Sequence, residues 1–150
     1  MTRVSRQPGS HGFTLVELVV VMVIIGVVGA IAIPRFSQAT ARHQLDAAAQ
    51  RVMADLELAA DRASAARQNA TLTFDTANDS YSFDTVGGEA YTVELGQGPY
   101  EVDMTRAKFG TSNVATFDGY GTPAQTGSVV LSSGDSTVTI FLEANGVARR

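Results

Sequence analysis

The sequence predicts an α+β fold, one long N-terminal helix packed on an antiparallel β-sheet head, and three observations carry that expectation. An unbroken apolar run extends from Leu18 to Ile33. An amphipathic stretch follows it, with apolar residues recurring every three or four positions. From Asn69 onward, short alternating segments are separated by turns containing Gly, Ser and Asp. The 150 residues suit one domain and leave no room for two full cores beside a membrane-length helix.

The first element, residues 1–12, is short, basic and polar. It holds Arg3 and Arg6, contains no acid, and ends in Ser10-His11-Gly12. Phe13-Thr14-Leu15-Val16-Glu17 comes next, and then the apolar run. Phe13 to Ile33 spans roughly 31 Å as a helix, enough to cross a bilayer core. The basic start predicts that the N-terminus stays inside and the body lies outside. A cleaved secretory signal would be shorter and end in small residues, whereas this run ends in Ile33-Pro34-Arg35-Phe36. In a plain signal anchor, a carboxylate such as Glu17 costs up to roughly 2.5–3.5 kcal/mol near the bilayer centre. A buried helix of a soluble protein does not suit so unbroken an apolar stretch.

Gly26 and Gly29 lie on about one face, where small residues permit close helix packing or are merely tolerated. Pro34 removes a backbone donor and is expected to kink the helix. Beyond it, Leu45, Ala48, Ala49, Val52, Leu56, Ala59, Ala60 and Ala63 form a stripe of helical period, and its alanines suggest a closely approaching sheet. Arg42, Asp46, Arg51, Asp55, Asp61 and Arg62 read as a solvated face. The expected division is 1–12, a 13–34 transmembrane segment, a 35–68 amphipathic helix, and a β-rich head over 69–150. Strands are expected at 70–74, 80–83, 91–95, 102–109, 114–117, 128–131 and 138–142, with a hairpin turn at Gly134-Asp135 and a tight turn at Asn145-Gly146.

Gly12-Phe13-Thr14-Leu15-Val16-Glu17 followed by the apolar run resembles the signature of type IV prepilins. That resemblance implies a pilin-like fold, cleavage between Gly12 and Phe13 by the prepilin peptidase, and N-methylation of Phe13. The helix would sit in membrane lipid before assembly and then pack in a filament core. Glu17 would pair there with the terminal amine of a neighbouring Phe13, an ion pair that fixes register more than it adds stability. Pro34 matches the proline of many pilins.

The head resembles the GspH/FimT family of minor pseudopilins and their pilus relatives. The resemblance rests on Leu56 to Arg67 running into Asn69-Ala70-Thr71-Leu72-Thr73-Phe74, on Phe117-Asp118-Gly119-Tyr120-Gly121, on the final hairpin, and on Asn145-Gly146-Val147-Ala148-Arg149-Arg150. It implies a low-copy subunit near a filament tip in type II secretion. Its partners would be other pseudopilins or pilins and an inner-membrane assembly platform, with the body in the bacterial periplasm. The alternative is a FimT-like minor pilin of a type IV pilus that binds DNA during uptake. In that reading Arg149 and Arg150 would touch DNA; otherwise they form a solvated tail.

Composition sets limits on other chemistry. Loss of residues 1–12 leaves 9 basic against 15 acidic residues, which argues against broad nucleic-acid binding. Cysteine is absent, so an exported head cannot rely on disulfides. The histidines are His11 and His43, and no catalytic set, cofactor site or phosphate loop is expected; Gly87-Gly88 reads as a turn. Asp75, Asn78 and Asp79 cluster oxygen ligands but lack a bidentate glutamate at loop spacing, so they read as turn residues and no metal site is expected.

Overall fold

The computed structural model describes residues 12–84 and 90–150, and of residues 31–36 the helical backbone alone. Arg3, Arg6, His11, Gly87-Gly88 and the side chain of Pro34 lie outside the described residues. The chain divides into two units, one ending at Ser37 and the other covering Gln38–Arg150.

Helix α1 spans Leu15–Ala66. It starts where Thr14 supplies a cap: its Oγ1 accepts the Glu17 N–H at 3.2 Å and its carbonyl accepts the Leu18 N–H at 3.2 Å. Thr14 and Glu17 thus occupy the first and last positions of a Thr-x-x-Glu capping-box pattern, which locates the helix start. Apolar side chains from Phe13 to Val28 are exposed all round the helix. Among the described residues, no helix is long and apolar enough to cross a membrane.

In the second unit the stripe is buried as its period requires: Leu45, Ala48, Ala49, Val52, Leu56, Ala59 and Ala63 lie in the core, while Ala60 is partly buried. The chain leaves the helix at Arg67, whose φ is +55°, with the Gln68 N–H on the Ala63 carbonyl. Among the described residues eight strands follow: β1 (Ala70–Asp75), β2 (Ser80–Asp84), β3 (Tyr91–Glu94), β4 (Asp103–Phe109), β5 (Val114–Phe117), β6 (Gly127–Ser133), β7 (Ser136–Leu142) and β8 (Ala148–Arg149). The expected single sheet is two antiparallel sheets of four strands, ordered β3-β2-β1-β5 and β4-β6-β7-β8. Alternation in a strand says which residues face inward; it does not say which strands are neighbours. Phe74 of β1 stacks on Phe109 of β4 at 5.3 Å between ring centroids, joining the sheets through one core.

One further expectation is corrected: Asp55, assigned to the solvated face, is 4% exposed. Arg149 and Arg150, read as a solvated tail, are exposed, and Arg149 belongs to β8, where Leu142 pairs with Ala148 and Phe141 with Arg149. The turn from Glu143 to Val147 folds the chain back, with the Glu143 N–H on the Val147 carbonyl at 3.0 Å.

Glycines seat the loop between β5 and β6 against the helix. A Cβ on Gly119 would lie 2.9 Å from the Arg67 carbonyl carbon, and one on Gly121 would lie 2.8 Å from the Ala60 carbonyl oxygen. Gly121 also has φ +79°. Gly134, at the β6–β7 turn, has φ +56° but open space around it. Gly134→Ala is therefore expected to cost about 1–2 kcal/mol, the penalty of the left-handed conformation alone. Gly121→Ala adds a backbone clash and should cost more, with about 1–3 kcal/mol of overpacking on top. Denaturant titration of both variants checks the order; equal losses would contradict it.

Candidate functional site

Two regions hold the residues singled out in the sequence. The N-terminal region starts at Gly12, where a Cβ would meet nothing within 4 Å, followed by Phe13 at 78% exposure. Gly12, Phe13 and Thr14 precede the helix, so the Gly12–Phe13 bond lies in non-helical backbone. Glu17 sits in the first turn, where a carboxylate is favoured by the helix dipole, and it is exposed among apolar neighbours. Chemically, this end offers an accessible peptide bond, an exposed aromatic residue, and one acid on an otherwise apolar surface. Pro34 lies within helical backbone, and its side chain is outside the described residues.

The second region is the head. Arg149 Nε lies 3.4 Å from Glu143 Oε1, and Arg150 Nη2 lies 2.6 Å from Asp46 Oδ1. Arg150 thereby ties the chain end to the helix, beside a groove of about 310 Å³ floored by Leu45 and Val138. Both arginines are thus engaged by acids of the same unit. The Asp75 carboxylate accepts the Ala77 N–H at 2.9 Å and the Asn78 side-chain amide at 2.7 Å; the Asn78 amide, and then the Ala77 N–H, hold the Asp75 carboxyl below the usual carboxylate range. Asp79 accepts the Met104 N–H at 2.6 Å. Asp75 thus shapes the β1–β2 turn and Asp79 ties that turn to β4, and no acid or histidine cluster able to hold a metal occurs among the described residues. His43 is exposed on the helix.

The grouping missed from sequence centres on Asp55. Its Oδ2 accepts Tyr81 Oη–H at 2.5 Å, Tyr91 Oη–H at 3.0 Å and Arg51 Nε–H at 3.0 Å. The Arg51 guanidinium also lies 5.7 Å from the Tyr91 ring centroid. A signal was present: Asp55 falls three residues after Val52 and seven after Ala48, on the edge of the buried stripe. Burial, and then the bond to Asp55, push the Tyr81 hydroxyl pKa up.

The chain matches the prokaryotic N-terminal methylation motif over residues 8–33. With the capped helix and the two-sheet head, that motif defines a prepilin-type, membrane-anchored filament subunit. The model of the type II transport protein GspH matches residues 48–146, and the chain belongs to that family, within the type IV pilin class of minor pilins and pseudopilins. Two curated relatives, both described as fimbrial protein of Pseudomonas aeruginosa, are 36% identical over 100 residues and 50% identical over 52 residues. The matches cover 67% and 35% of this chain, and 62% and 33% of the relatives' lengths. The fold is similar to a crystal structure of the Pseudomonas aeruginosa type IV minor pilin FimU, with a TM-score of 0.57 and 15% identity over 72% of this chain and 88% of that one.

Tyr81→Phe is expected to destabilise the head by about 1.5–3 kcal/mol, the range for a hydrogen bond to a charged group. The raised Tyr81 pKa favours the neutral hydroxyl in the folded state. Its contribution is therefore complete below roughly pH 10, the ordinary tyrosine value, and is lost as pH rises above it. Denaturation across pH 8–12 should show an alkaline loss of stability that is smaller in Tyr81→Phe; parallel curves would refute the assignment.

Proposed function

We propose that this protein is a structural subunit of a type IV pilus-like filament, held in the bacterial inner membrane as a single-pass precursor and packed by its N-terminal helix after cleavage. The observation that carries the reading is the all-round apolar surface from Leu15 to Val28, interrupted by Glu17 alone. Such a surface is at rest in lipid or in a bundle of like helices. The prepilin peptidase would cut between Gly12 and Phe13 and methylate Phe13. Glu17 would then meet the terminal amine of a neighbouring Phe13, and Pro34 would supply the point at which the helix bends. The subunit is a substrate of processing and carries out no bond-making step itself.

The curated names of the relatives, fimbrial protein, favour a pilus. The family description, type II transport protein, favours a secretion filament in which the subunit supports protein export. Under either reading the partners are other pilins or pseudopilins and an inner-membrane assembly platform. The DNA-binding alternative draws less support, because Arg149 and Arg150 both face acids of their own head.

Glu17→Ala is expected to leave cleavage after Gly12 intact and to abolish incorporation into sheared filaments, measured by immunoblot; unchanged incorporation would refute the assembly role. A cross-linked pull-down from native membranes separates the two systems. Secretion pseudopilins would identify the first, and a major pilin with a retraction motor the second.

A further inference from the structure

The second sheet covers the core with its inner face, through Met104, Val129, Leu131, Ile140 and Leu142. Its outer face carries an arrangement set by strand register. Lys108 stands opposite Ser128, Ser128 opposite Phe141, and Phe141 opposite Arg149, forming one row across all four strands. In the next row, Arg106 stands opposite Val130. Residues opposite one another in antiparallel strands share a face. Phe141, in the middle of the first row, is 53% exposed. Among the described residues, Arg106 and Lys108 have no acidic partner, and Arg149 shares its charge with Glu143 at 3.4 Å. The face thus sets an exposed aromatic beside Arg149, with Lys108 and Arg106 two strands away, a local basic surface on a chain with net charge -4.

We propose that the outer face of the second sheet is a docking surface for an acidic patch on the head of a neighbouring filament subunit. Phe141 is the apolar anchor at its centre, and Arg106 and Lys108 are the charges that orient the partner. Aromatic and arginine side chains are enriched at the centres of protein interfaces, and charge complementarity steers and selects partners. The face is poorly suited to nucleic acid: it has three cations, one of them paired, and a single aromatic platform on an acidic protein. The proposal rests on the filament reading, because a filament is what holds neighbouring heads side by side.

The test is site-specific photo-crosslinking in cells assembling the filament, with p-benzoylphenylalanine incorporated in place of Phe141 of the full chain. The expected product is an adduct with another pilin-fold subunit, a second copy or a relative, at a peptide containing Asp or Glu. Arg106→Glu with Lys108→Glu should lower its yield roughly tenfold or more, since like charges facing each other across an interface are strongly disfavoured. Arg106→Gln with Lys108→Gln, a milder change at the same exposed positions, should lower it less. No adduct, an adduct with nucleic acid or lipid, or a yield indifferent to charge reversal would overturn the proposal. Incorporation of the same chains into sheared filaments is scored separately. A chain that incorporates without the adduct overturns the docking surface alone. A chain that gives the charge-dependent adduct but never incorporates overturns the filament reading alone, and failure of both overturns both.

Discussion

A carboxylate taken out of water costs several kcal/mol unless its oxygens are bonded, and the head of this protein is assembled around one such group. Asp55 reaches from the helix to Tyr81 of β2 and Tyr91 of β3, and Arg51, one turn earlier on the helix, balances its charge. Those bonds set where the first sheet lies along the helix and which way it faces. An apolar contact in their place would tolerate sliding, because Leu and Ala side chains have no directional preference. The strands that follow in sequence inherit this placement: β1 pairs with β2, and Phe74 of β1 carries the stacking contact to Phe109 of the second sheet.

The C-terminal end of the helix is held by backbone. Gly119 and Gly121 bring their loop to within contact of the Arg67 and Ala60 carbonyls, and the Gly146 turn packs on the Gly121 carbonyl. These approaches leave no space for a side chain, so this part of the head is specified by what the residues lack. The chain end then closes on the helix through Arg150 and Asp46. The buried polar cluster, the glycine contacts and the terminal ion pair join helix and sheets in addition to the apolar core, as do the Gln44–Glu101 hydrogen bond and the Arg62 guanidinium over the Phe83 ring.

The two halves of the helix follow opposite rules. From Gln38 on, apolar residues are confined to a stripe and buried. From Phe13 to Val28 they occur on every side and are exposed. A surface of the second kind needs lipid or other helices around it, which is why the sequence signature and the filament reading both reside in that half. Cations and Phe141 on the outer face of the second sheet give the head its own means of recognising a neighbour.

The sequence by itself determined the elements whose signals are local. The buried stripe follows from a 3.6-residue period, and most strands from alternation and turn residues. Gly12, Phe13 and Glu17 stand out because a short basic segment, a glycine before an aromatic residue and a lone acid in an apolar run are visible in one dimension. Tertiary structure decided the rest. The partition of the strands into two sheets depends on which strands meet, and alternation is silent on that. Asp55 looked like one more surface acid because the tyrosines that receive it lie 26 and 36 residues away. Arg149 and Arg150 looked like a free tail because Glu143 and Asp46 reach them only after the last turn folds back. The row of Lys108, Phe141 and Arg149 exists only through strand register, a long-range property fixed by packing the opposite face against the core.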